Sequence, residues 1–224
     1  MKQRTITWKS VPTEQRLLYS QIAIQLVDDF TSLPPRYPVR AGLEFQDASA
    51  QWRQVERQPT ITSSGIICFP KLGRSASFAT APVVQYRVSL QSDYYRPEYL
   101  RAIDGLEFSV HPYDDANPPA VIPMHPQNAL LLPAANYPFP SHVRVLRGVV
   151  QDTMSAPVAH VEVSEGTSER VLTDARGTFS LPLRWPAFNA AITVDAVDHR
   201  TGRSDTLNIN LPGDLSLGHL FTIS

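Results

Sequence analysis

The chain has 224 residues, 42% of them hydrophobic and 18% charged, which excludes a disordered polypeptide and leaves room for one large domain or two of about 100 residues. A formal net charge of −1 with no Lys/Arg cluster excludes an electrostatic grip on nucleic acid, and the longest apolar runs fall far short of a membrane span. Twenty prolines against ten glycines argue against long helices and for strands joined by stiff loops.

Met1-Lys2-Gln3-Arg4 leads into Thr5, Ile6, Thr7 and Trp8 rather than an apolar stretch, so no signal peptide is expected and the protein is read as cytoplasmic at synthesis. Residues 1–19 read as an extended arm anchored by Ile6, Trp8, Leu17 and Leu18, although Thr13 to Leu18 also suits a short helix. Ser20 to Val27 alternates Ile22, Ile24 and Leu26 with Ala23, Gln25 and Val27, the period of a half-buried strand, and Asp28 to Pro35 closes it with turn residues. Further strands follow at Val39 to Phe45, Gln51 to Glu56, Gly65 to Phe69 and Val83 to Gln91. The last of these runs into Ser92-Asp93-Tyr94-Tyr95-Arg96-Pro97-Glu98-Tyr99. Tyr and Arg are enriched at interface hot spots, so Tyr94, Tyr95, Arg96 and Tyr99 are candidate partner-binding residues; the competing reading folds the tyrosines back as a corner brace.

Pro112 to Pro140 holds eight prolines and reads as part linker, part ordered chain. Ala129 to Leu132 suits a last strand of a first domain, and Tyr137 with Phe139 suits a wedge that fixes the angle between domains. Beyond it, Gly148, Val150, Asp152, Ser155 and Pro157 punctuate two strands. Thr173-Asp174-Ala175-Arg176-Gly177 then reverses the chain, Asp174 bonding the backbone ahead of it and Gly177 supplying a positive φ before Phe179 and Leu181. Ala191 to Asp198, a hairpin returning through Leu207, Ile209 and Leu211, and His219 to Ile223 complete seven strands from Val143 onward.

These residues resemble the carboxypeptidase regulatory-like domain, a seven-stranded transthyretin-like sandwich with the pattern G-x-V-x-D-x-x-G-x-P followed by T-D-x-x-G-x-F-x-L; Ser155 stands where the pattern has a glycine. The first part of the chain repeats the order. Its strand ends at Asp28, a proline-bearing turn and two strands follow, and Pro70 stands five residues after Gly65 as Pro182 does after Gly177. The expectation is an all-β protein of two tandem seven-stranded transthyretin-like sandwiches, 20–140 and 141–224, with the proline-rich linker at about 112–140.

Catalytic motifs are missing: there is no Gly-x-Ser-x-Gly elbow, phosphate loop, His-Glu-x-x-His helix or calcium loop. Cys68, the single cysteine, sits in a predicted strand as a small buried hydrophobe and cannot form an internal disulfide. His111, Asp114, Asp115 and His125 fit no metal template, and Asp195, Asp198, His199 and Arg200 read as a polar turn. No catalytic, cofactor-binding or metal-binding residues are therefore expected. The resemblance implies a non-catalytic module, and small tandem sandwiches of this kind resemble accessory components of phage-tail-like contractile injection particles. The function expected is structural: binding other protein subunits, or further copies of itself, through Ile6, Trp8, Leu17 and the tyrosine loop. The alternative is a carbohydrate- or cell-surface-binding module using Tyr94, Tyr95 and Tyr99 as a stacking platform.

Overall fold

The computed structural model describes residues 19–166 and 169–224. Period-2 burial is plain in β1 (Ala23–Asp28), where Ile24, Leu26 and Asp28 point inward, and it builds two sheets around one core. The first contains β1, β4 (Thr60–Ile61), β5 (Ile66–Cys68), β7 (Tyr95–Pro97) and β9 (Gln127–Pro133) in the order β4-β5-β1-β9-β7. Facing it are β2 (Arg40–Gln46), β3 (Trp52–Val55), β6 (Val84–Gln91) and β8 (Leu106–Val110) in the order β3-β2-β6-β8. Ile24, Ile67 and Leu131 from one sheet meet Leu43, Val88 and Leu106 from the other.

A second core, separate from the first, contains Leu146, Val163, Phe179, Val194 and Phe221. It lies between the sheet β13-β10-β16 and the sheet β12-β11-β14-β15, formed by β10 (Arg144–Asp152), β11 (Glu162–Glu165), β12 (Glu169–Leu172), β13 (Thr178–Leu183), β14 (Ala191–Val197), β15 (Ser204–Asn210) and β16 (His219–Ile223). Its open side is fastened by Asp205 of β15, whose carboxylate accepts a hydrogen bond at 2.7 Å from the outward-facing amide of Thr222 in β16.

Two expectations change. The first sandwich has nine strands rather than seven, because the short β4 and β7 are added at the edges of one sheet. The proline-rich stretch is not simply a linker: β9 lies inside it and pairs in parallel with β1, with Ala129, Leu131 and Tyr137 in the first core. Set aside β4 and β7, and the strand orders match position for position, β5-β1-β9 with β13-β10-β16 and β3-β2-β6-β8 with β12-β11-β14-β15. In both sandwiches the closing strand lies parallel to the opening one.

The turns match as well. After β1 the Asp28 carboxylate accepts from the amides of Phe30 and Thr31, and Ser32 takes φ +57°. After β10 the Asp152 carboxylate accepts from Met154 and Ala156, and Ser155 takes φ +64°, the left-handed conformation that glycine adopts without steric cost. Ahead of β5 the Thr62 side chain accepts from Ile66, and ahead of β13 the Asp174 carboxylate accepts from Arg176 and Thr178.

Gly65 (φ +78°) and Gly177 (φ +71°) close those last two turns in the same way, but a Cβ on Gly65 would meet open space, whereas one on Gly177 would collide with the Val150 carbonyl oxygen. Gly65→Ala is therefore expected to cost about 1 kcal/mol, the left-handed penalty alone. Gly177→Ala is expected to cost about 3 kcal/mol or more, since β10 must also move. Thermal denaturation of the two variants measures the difference, and equal costs would contradict the close packing of that turn on β10.

Candidate functional site

Ile6, Trp8 and Leu17 lie outside the described residues. The rest of the predicted site, the tyrosine loop, folds inward. Ser92 pins its start by donating to the Pro38 carbonyl at 2.8 Å, and Arg96 turns back to donate to the carbonyls of Ser92 (2.8 Å) and Tyr95 (3.1 Å). Tyr94 is half-buried against Tyr37, ring centroids 4.5 Å apart. Tyr95 is fully buried in β7, and the Tyr99 hydroxyl accepts from the Leu90 amide at 2.7 Å. Burial, then the charge of Asp28, pushes the Tyr95 phenol up to about 12, and burial pushes Tyr99 to about 12. The corner-brace alternative describes Tyr95 and Tyr99.

The brace closes on Asp28, which is 0% exposed. Its Oδ2 accepts from the hydroxyls of Tyr95 (3.1 Å) and Tyr137 (2.9 Å), while Oδ1 accepts from the amides of Phe30 (2.9 Å) and Thr31 (3.3 Å). A buried carboxylate is tolerated when donors surround it. Tyr137 is raised by burial and by its bond to Asp28. Tyr137 also packs edge-on to Phe30 (5.6 Å) and against Phe139 (4.8 Å), so the expected wedge has one foot in the first core.

Around that node the sandwiches meet in a polar seam. From the first come Asp29 and Phe30 after β1, the 3-10 helix Glu98–Arg101 after β7, and the residues up to Asp104. From the second come β11, β12, the end of β13 and the β14–β15 turn. Arg170 bridges Glu98 (2.6 Å) and Asp29 (3.4 Å), and Arg101 bridges Glu162 (2.8 Å), which His199 also approaches at 3.4 Å. Arg200 donates to the carbonyl of Leu100 (2.8 Å) and pairs with Asp104 (2.8 Å). Arg184 binds the buried Glu169 (2.6 Å), donates to the Phe30 carbonyl (2.6 Å) and lays its guanidinium 4.4 Å from the Phe30 ring centre. Ser180 donates to the Ala135 carbonyl at 3.1 Å. Sequence reasoning marked only His199 and Arg200 among these second-sandwich groups, as turn residues.

A cleft of about 350 Å³ adjoins the seam, lined by Glu98, Tyr99, Arg101, Ile103, Leu106 and the β9 residues Gln127 to Leu130. It exists because β7 pairs with β9 only from Leu131 to Pro133 before the chain turns away at Pro97 into the 3-10 helix. Ile103 is 45% exposed on its wall.

Apart from His199 and Arg200, which reach into the seam, several of the polar candidates are engaged within their own sandwich. Asp114 accepts from Ala116 and Asn117 within its own loop, and Asp115 pairs with Arg74. Asp198 accepts from Arg200, Thr201 and Arg203, hydrogen bonds that outweigh the opposing effect of burial and hold its carboxyl below the usual range. Burial pushes the Cys68 thiol up, opposite to the activation a nucleophile requires. Among the described residues no group of three or more His, Cys, Asp or Glu is placed to hold a metal, and no helix is long and apolar enough to cross a membrane. Trp185 and Phe188 stand exposed on the loop after β13.

No protein-family model matches the chain, and no curated protein matches it. Among solved structures it is similar to the Bacillus anthracis TIE protein, at 12% identity and a TM-score of 0.28, over 92% of this chain and 34% of that one. It is also similar to a streptococcal ancillary pilin, at 10% identity and a TM-score of 0.26, over 92% of this chain and 68% of that one. The chain thus spans about a third of the TIE protein's length.

Two measurements probe the brace and the seam. Because the fold raises the Tyr95 pKa from 10.0 to about 12, the stability held by its neutral phenol is complete below pH 10 and is lost as pH climbs from 10 through about 12. Alkaline absorbance titration of the eight tyrosines is expected to show the Tyr95, Tyr99 and Tyr137 class ionising late, together with unfolding. Ionisation of all eight as one class near pH 10 would contradict the buried brace. At the seam, a double-mutant cycle of Glu98→Gln and Arg170→Met, whose side chains are only 22% and 25% exposed, is expected to give a coupling of about 1 kcal/mol. The Arg53–Asp47 pair, with its arginine 63% exposed, is expected to give no measurable coupling.

Proposed function

We propose that the chain is a non-catalytic structural protein: two sandwich domains, 20–140 and 141–224, behind an arm of residues 1–19, binding other protein subunits of a larger assembly. The observation that carries this reading is the seam. Arg170, Arg200 and Arg184 reach from the second sandwich to carboxylates and backbone carbonyls on separate segments of the first, and Arg101 reaches from the first to Glu162 of the second. Charge-assisted hydrogen bonds at several separate points, made by part-buried side chains, favour one angle between two modules, which a strut needs and a flexible pair of binding domains does not.

Matching strand orders and turns support the tandem transthyretin-like reading. The left-handed Ser155 and the Asp174–Gly177 turn support the resemblance to the carboxypeptidase regulatory-like domain. Membership of a phage-tail-like contractile injection particle, released or attached to a cell surface, is the specific assembly we propose, on that resemblance. A glycan platform finds less support, since Tyr95 and Tyr99 are engaged inside the protein.

Sedimentation of the protein drawn from its native source tests the reading. A species far larger than the 24.9 kDa chain, containing other subunits, is the expected result; a lone monomer that binds glycans would overturn it.

A further inference from the structure

We infer that the cleft beside β9 is a strand-acceptor slot, and that its occupant is Thr5 to Lys9 from a second copy of this chain. The inference rests on the assembly reading above and names a partner for it.

Backbone alternation defines the slot. Ala134 donates across to Tyr94 on the β7 side, while Leu131 accepts from Asp29 on the β1 side. The main-chain groups of Leu130 and Asn128 therefore point to the β7 side, where β7 pairs no further than Leu131. Among the described residues no other backbone segment pairs with these groups, and a strand edge of this kind recognises one ligand class, an extended peptide. The apolar lining of Tyr99, Ile103 and Leu106 asks that this peptide alternate apolar side chains toward the cleft.

Thr5-Ile6-Thr7-Trp8-Lys9 has that pattern: Ile6 and Trp8 fall on one face, and Thr5, Thr7 and Lys9 on the other. Eighteen residues precede Tyr19, the first described residue, which is held by the Lys71 amide and the Tyr113 ring at the β5 side of β1. The nine residues 10–18 between that anchor and the pairing segment span at most about 32 Å. That is enough to project the segment beyond its own sandwich. Donor arm and acceptor slot are different surfaces, so the contact is head-to-tail and propagates from copy to copy.

The experiment is a complementation by analytical ultracentrifugation. One variant lacks residues 2–18; the other carries Leu130→Pro, which removes an edge amide, with Ile103→Lys as an alternative block should that variant fail to fold. The full chain is expected to self-associate with concentration, each variant to remain a folded monomer, and their mixture to form a one-to-one dimer that stops there. A full chain that is monomeric at every concentration, or whose deletion variant still associates, overturns the inference. So does a monomeric full chain with residues 5–9 protected from hydrogen exchange, because the arm then fills its own slot. If self-association is absent yet the native protein sediments in a large complex, the slot reading falls and the assembly reading stands; if both are absent, both fall.

Discussion

Asp28 is the constraint on which the first sandwich and its junction depend. A carboxylate at an inward position of a central strand must gather donors or be expelled, and the four it gathers come from the turn that follows it, from β7 and from the segment after β9. Those bonds fix the Asp29–Phe30 turn, which presents a carboxylate to Arg170 and a ring and carbonyl to Arg184. Leaving either phenol unpaired in that site would cost about 1–3 kcal/mol. Buried polarity thus positions the groups that bind the second sandwich.

The same node accounts for what the tyrosine loop does. Tyrosine and arginine dense in a turn have two physical uses, exposed anchors or amphipathic braces whose hydroxyls need partners inside. Composition does not separate them, because the deciding groups are distant: Asp28 lies 67 residues before Tyr95, and the Pro38 carbonyl that fixes Ser92 lies 54 before it. A sharper signal was the aspartate itself, the third inward position of an alternating strand.

Strands with clear alternation, β1, β6, β14 and β15, were legible in the sequence, as was the Asp174–Gly177 turn. The two-residue β4 and three-residue β7 carry no period to read; among the described residues β4 pairs only with β5, and β7 is set by its pairing with β9 and by the burial of Tyr95 against Asp28. Ala129 to Leu132 was legible as a strand, but not its insertion between β1 and β7, because its pairing with β1 joins residues about a hundred positions apart. The seam was the least legible part. Arg170 occupies an ordinary half-buried strand position, and its acceptors lie 72 and 141 residues back.

The parallel pairing of β9 with β1 and of β16 with β10 sets an order of events during synthesis. Each opening strand waits without one of its neighbours until the closing strand of its sandwich has emerged from the ribosome. Local hairpins such as β2–β3 and β14–β15 can form early, whereas each core stays open along one side until a loop of about a hundred residues, or about seventy in the second sandwich, has been closed. For that interval Ile24 and Leu131, or Val150 and Phe221, are apolar surfaces in search of one another. The nascent chain is most vulnerable to aggregation then, and protection by a chaperone would matter more for this protein before each closure than at any later time.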